Sequence, residues 1–191
     1  MREADREGPD PGAAVRHPLH QGQAGRGARR LTGRRALFLY GTAALVYVLD
    51  RVTKILVETH LQGREPVELI SGVVQLRFTT NPGGAFGLFG EWSWLFVLVS
   101  VAVIIVIVLA SRNLPSTAAA VGLGLILGGA VGNVTDRLIR GSGLSGEVVD
   151  FIDLHVWPVF NLADTGIVVG AAVLLIVGLR RDRTPRPSTG P

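Results

Sequence analysis

Four stretches of this chain are apolar for long enough to cross a lipid bilayer, and that constraint comes before all others. A helical span takes about 20 residues. The first stretch covers residues 36–57 and is interrupted late by Asp50, Arg51 and Lys54. Residues 92–110 form the second, almost wholly aliphatic, with Trp92 and Trp94 placed as interfacial anchors. The third, 116–135, contains no charged residue, and the fourth, 160–179, carries Asp164 in its first turns. Inside lipid every backbone polar group must be satisfied by the protein, so such stretches are helices unless they close a barrel. Their length and lack of alternation predict an α-helical integral membrane protein, a four-transmembrane-helix bundle over residues 36–179.

Charge agrees with that reading. Only 18% of the 191 residues are charged, against about 25% in soluble domains. Residues 1–35 hold 8 Arg and 4 acids and are rich in Gly, Pro and Gln. Such a segment buries too little to offset its ordering entropy, which predicts a disordered tail. Residues 180–191 form a second basic tail, and the short loop 111–115 contains Arg112. Cytoplasmic loops carry the excess of Lys and Arg, so both termini and this loop are expected in the cytoplasm of a multi-pass cell-membrane protein. Segments 62–91 and 136–159 are then extracytoplasmic. Paired arginines before an apolar run also mark twin-arginine export signals. This run, however, outlasts the usual signal length and meets Asp50-Arg51 without a convincing cleavage site. The chain has no cysteine, which excludes disulfides, thiolate metal sites, a cysteine nucleophile and a lipidated cysteine of its own.

The first outer segment has a period of two: Val74, Leu76 and Phe78 alternate with Gln75, Arg77 and Thr79. That pattern predicts a half-buried strand inside a small β segment over residues 64–90. A turn at Asn81-Pro82-Gly83-Gly84 would lead into a second strand at residues 85–89. Spacing alone leaves open whether this is a platform on the membrane surface or an ordered connector. Gly124, Gly128 and Gly132 recur every four residues, and Gly166 and Gly170 follow in the fourth span. Small residues on one face let helices approach closely in lipid, so these predict close packing of spans three and four.

Ionisable residues near a bilayer are costly and usually paired or functional. Asp50 follows 14 uncharged residues, about 21 Å of helix, and Lys54 at i+4 can pair with it as a structural salt bridge. Asn133, Asp136 and Arg137 share a face at the end of the third span, and Asn161 and Asp164 share one at the start of the fourth. Asp150 lies in the apolar stretch Val148-Val149-Asp150-Phe151-Ile152, a desolvating setting. If helix packing brought Asp150 and Asp164 face to face, the pair would not ionise fully. One carboxyl would then keep a proton to polarise a carbonyl while the other activated a water. Two unrelated capping aspartates satisfy the same spacing. A metal site from Asp150, Asp153, His155 and Asp164 would offer one imidazole and no thiolate. No nucleophile elbow supports Ser-His catalysis, and topology explains the basic tails without nucleic acid.

Taken in order, Asp50-Arg51-Val52-Thr53-Lys54, then Asn81-Pro82-Gly83-Gly84-Ala85-Phe86-Gly87, then GGAVGNVTDR at 128–137, then VVDFIDLHVWPVFNLADTGI at 148–167 resemble the bacterial lipoprotein signal peptidases (signal peptidase II). The last two blocks are the specific ones. The resemblance implies four helices with a small extracytoplasmic β-platform. It also implies an intramembrane aspartic endopeptidase with no metal or other cofactor. The enzyme would remove signal peptides from diacylglyceryl-modified prolipoproteins, cutting just before the lipidated cysteine. Asp150 and Asp164 match the catalytic pair. Asp50, Lys54, Asn81, Asn133, Asp136, Arg137 and Asn161 match polar positions around the site. Expected partners are the prolipoprotein and membrane lipid, for a monomer that binds no nucleic acid. Arg51 stands where the family commonly has Gln, and Gly84 where Ala is common. A small transporter subunit would instead carry polar groups through mid-bilayer, and a non-catalytic scaffold would not need two converging carboxylates.

Overall fold

The computed structural model describes residues 18–83, 93–141 and 146–182. Four helices, α1 (Pro18–Leu61), α2 (Ser93–Ala110), α3 (Thr117–Ile139) and α4 (Leu162–Asp182), are joined by a three-stranded antiparallel sheet. The strands are β1 (Val67–Ile70), β2 (Val74–Asn81) and β3 (Val148–Asp153), in that order across the sheet. All four helices contain a segment long and apolar enough to cross a membrane, so the chain is a multi-pass membrane protein of the expected class.

One expectation is corrected. The chain is helical from Pro18 rather than from about residue 36; residues 1–17 lie outside the described residues. Ala, Arg, Gln and Leu are good helix formers, and extending a nucleated helix is far easier than starting one. The strand expected at residues 85–89 falls outside the described residues. Among those described, β2 pairs with β1 on one edge and with β3 on the other. The stretch at 148–153, read from sequence only as an apolar setting for Asp150, is the third strand. It is buried along nearly its whole length, so it lacks the alternation that reveals a strand with one wet face.

α3 is the central helix. Over its apolar window 56% is buried, against 17–22% for the other three. Its small residues explain this, although the glycine stripe faces a different partner from the one expected. A Cβ on Gly124 would lie 2.5 Å from the Leu39 carbonyl, and one on Gly128 would lie 2.5 Å from that of Ala43. The stripe therefore seats α3 against α1. Gly122, Gly129 and Gly170 bring α3 and α4 together on another face. Leu39, Ala43, Ile107, Leu114, Ala120 and Leu127 fill the space among α1, α2 and α3. At one end of the bundle Ser116 caps α3 by accepting from the Ala119 N–H at 3.1 Å. There Arg35 also donates to the Leu114 carbonyl at 2.8 Å. The sheet and nearly all buried polar side chains lie at the other end.

Candidate active site

α4 begins with a reciprocal cap. The Asn161 side-chain oxygen accepts from the Asp164 N–H at 2.9 Å, and Asp164 Oδ2 accepts from the Asn161 N–H at 3.3 Å. This is the capping-box arrangement, in which residues three apart satisfy each other's orphan donors. A third orphan, the Ala163 N–H, is satisfied from α1 by Asp50 Oδ1 at 3.0 Å. The start of α4 is thus tied down by its own side chains and by a carboxylate from the first span. Ala163 is fully buried, and a donor so placed cannot be left open.

β3 delivers the second carboxylate. The β2–β3 register shifts between Leu76 and Thr79, so that Thr79 rather than Phe78 stands opposite Asp150. This bulge re-aims the strand and puts Asn81 diagonally beside Asp150, where Asn81 Nδ2 donates to Asp150 Oδ2 at 3.0 Å. The Asp150 side chain, 2% exposed, also accepts from Asn161 Nδ2 at 2.6 Å. Asn161 therefore touches both aspartates. Burial, and next the neighbouring charge of Asp164, push the Asp150 carboxyl up to about 7.

Asp150 and Asp164 open onto one cleft of about 310 Å³, which Asn81, Asn133, Arg137 and Trp157 help to line. The Arg137 guanidinium stands 5.6 Å from the Phe96 ring centre, and its Nη1 donates to the Asn133 carbonyl at 3.5 Å. Its buried Nε has no hydrogen-bond partner among the described residues. A second, almost wholly apolar recess of about 350 Å³ shares Trp157, Phe160 and Asp164 with the first. Asp164 thus stands between a polar cleft and an apolar one. The segment between β3 and α4 is closed at its base by the Phe160 N–H donating to the Ile152 carbonyl at 3.1 Å. Its turn is set by Asp153, which accepts from the His155 N–H at 2.8 Å while His155 adopts φ 62°. Gln75 first, and then His155 and Arg77, hold the Asp153 carboxyl below the ordinary carboxylate range.

Lys54, Asp50 and Asp136 do not line the cleft. They form a fully buried group behind it, with the Lys54 ammonium 2.9 Å from Asp50 and 2.9 Å from Asp136. The same ammonium donates to Asn133 Oδ1 at 3.0 Å, and Asn133 Nδ2 donates to Asp164 Oδ1 at 2.8 Å. Asp136 also accepts from the Val149 N–H at 3.3 Å, fastening β3 to α3. Of the nine residues picked out from sequence, five line the cleft, Asn161 links the two aspartates, and three stand behind.

Sequence reasoning missed the ion pair of Arg51 with Asp136 and the bidentate pair in which Arg140 meets Glu58 at 2.6 and 2.7 Å. A signal was present, because Arg51, Lys54 and Glu58 share one helix face and Arg140 lies four residues after Asp136. Among the described residues no three His, Cys, Asp or Glu side chains converge to hold a metal ion.

A family model described as Signal peptidase (SPase) II matches residues 42–180. A lipoprotein signal peptidase of Rhodococcus jostii (strain RHA1) is 43% identical over 158 residues, covering 81% of this chain and 80% of the relative. One from Mycobacterium leprae (strain Br4923) is 38% identical over 174 residues, covering 91% and 84%. Among solved structures, a bacterial membrane enzyme determined at 2.3 Å by the in meso method superposes with a TM-score of 0.68. It is 25% identical and covers 83% of this chain and 95% of its own. The matched region contains every residue of the polar cluster, and the chain belongs to the signal peptidase II family of aspartic peptidases.

Proposed function

We propose that this protein is a lipoprotein signal peptidase of the bacterial cell membrane. It removes the signal peptide from diacylglyceryl-modified prolipoproteins by hydrolysing the bond just before the lipidated cysteine. The observation that carries the reading is the convergence of Asp150 and Asp164 on one cleft, joined through Asn161. In such a pair one carboxyl can supply a proton while the other takes one. Burial favours the proton on Asp150. Asp164 then accepts a proton from water while the water oxygen attacks the scissile carbonyl carbon. The Asp150 proton moves to the carbonyl oxygen. Collapse of the tetrahedral adduct breaks the C–N bond as the proton on Asp164 passes to the leaving nitrogen and a hydroxyl of the adduct returns one to Asp150.

The apolar recess beside Asp164 suits the lipid-bearing side of such a substrate. The arginine-rich tails and Arg112 support a topology with both termini in the cytoplasm and the cleft at the extracytoplasmic end. The test is Asp150→Asn and Asp164→Asn, each assayed on a diacylglyceryl-modified prolipoprotein. Both are expected to lose cleavage by about 1,000-fold or more at normal membrane levels. Cleavage by either variant at the normal rate overturns the proposal.

A further inference from the structure

Three asparagine amides face the aspartate pair, and each must present its NH2 rather than its carbonyl. Asn161 is turned that way because its oxygen accepts the Asp164 backbone N–H. Asn81 is turned by the Gly83 backbone N–H at 3.1 Å. Asn133 differs, because its oxygen is held by side chains: Lys54 Nζ at 3.0 Å and Asn161 Nδ2 at 3.3 Å. An ammonium has three protons and can only donate. The Lys54 ammonium is ion-paired at 2.9 Å with Asp50 and at 2.9 Å with Asp136, and it donates a hydrogen bond to Asn133. Turning the Asn133 amide over would set its NH2 against an ammonium and a second NH2, and its carbonyl against the Asp164 carboxylate.

We propose that Lys54, which does not line the cleft, is a positioning residue. Its ammonium sets the orientation of the Asn133 amide and thereby the hydrogen bond that Asn133 gives to Asp164. The inference rests on the peptidase reading above and adds to it a buried cation acting through one amide. Asp50 and Asp136 hold the ammonium in place, and Asp50 at the same time caps α4, so the group is braced from three helices.

Lys54→Met alone leaves two buried carboxylates short of a partner and risks losing the fold. The informative variant is Asp50→Asn with Lys54→Met, which removes one charge of each sign and keeps an oxygen at position 50 for the Ala163 N–H. With the purified full chain and a synthetic diacylglyceryl lipopeptide, kcat is expected to fall about 100-fold, the low end of what positioned acid–base catalysis contributes, with KM unchanged. Adding Asn133→Leu to this variant should lower kcat no further than Asn133→Leu does alone, since the two act through one contact. A normal kcat, a loss expressed in KM, or losses that multiply would each overturn the inference. Asp164→Asn is assayed in parallel. If it still cleaves, the peptidase reading fails; if it is inactive while the paired variant has normal kcat, only the role of Lys54 fails.

Discussion

α2 and α3 are both long enough to span a bilayer, yet they solve opposite problems. α2 is nearly all aliphatic and only 17% of its apolar window is buried; α3 is rich in glycine and ends in polar residues, with 56% buried. In water the more apolar helix would be the inner one. In lipid an aliphatic surface gains nothing by turning inward, and close packing with hydrogen bonding drives association instead. Leu98, Val101, Ile105, Val106 and Leu109 of α2 accordingly face outward, while Asn133, Asp136 and Arg137 of α3 are buried. Apolarity in this molecule marks the lipid-facing surface, and small or polar residues mark the interior.

Matched substitutions in the two helices would break that contrast most sharply if it is wrong. Gly128→Leu places a side chain where even a Cβ lies 2.5 Å from the Ala43 carbonyl. It should abolish accumulation of folded protein in membranes, whereas Val106→Leu on the open face of α2 should leave level and cleavage unchanged. Next in size is Asp50→Ala, which strips the Ala163 N–H and the Lys54 ammonium of one partner each. Breaking a buried pair costs about 3–5 kcal/mol, to be read as a lowered midpoint of thermal unfolding in detergent.

A pH profile probes the polar interior without mutation. Because the Asp150 carboxyl is raised to about 7, it keeps its proton below that pH and loses it above. A reaction that uses this proton should slow as pH rises through about 7, and a rate still climbing at pH 9 would remove Asp150 as the proton donor. Smallest of all, Arg51→Gln removes an ion pair whose Arg side chain is 16% exposed. Asp136 retains Lys54 at 2.9 Å and Arg140 at 3.4 Å. A loss of stability smaller than that of Asp50→Ala is expected, with cleavage near normal.

Much of the fold was legible because its signals are local. Four apolar runs marked the spans, and alternation at Val74, Leu76 and Phe78 marked β2. The i, i+4 spacing of Asp50 and Lys54 announced their ion pair. β3 escaped because a strand buried on both faces has no period of two to display. The glycine stripe of α3 was visible, but its partner was not: spacing shows that a helix has a close-packing face, and only the rotation of α3 in the bundle turns that face to α1. Asp164 could be read as a helix cap or as part of a reactive pair. It caps α4 through Asn161 and at the same time opens onto the cleft beside Asp150.

By itself the sequence determined how many times the chain can cross a membrane, which residues share a helix face, and which family the motifs resemble. These follow from chain length and from the periods of helix and strand, which do not depend on what lies opposite. Tertiary structure alone decided what meets across elements. A one-residue bulge in β2 sets Asn81 beside Asp150, and packing carries Lys54 to Asp136, so far along the chain, and to Asn133. Register and helix rotation are settled by all the contacts at once, so no local pattern contains them.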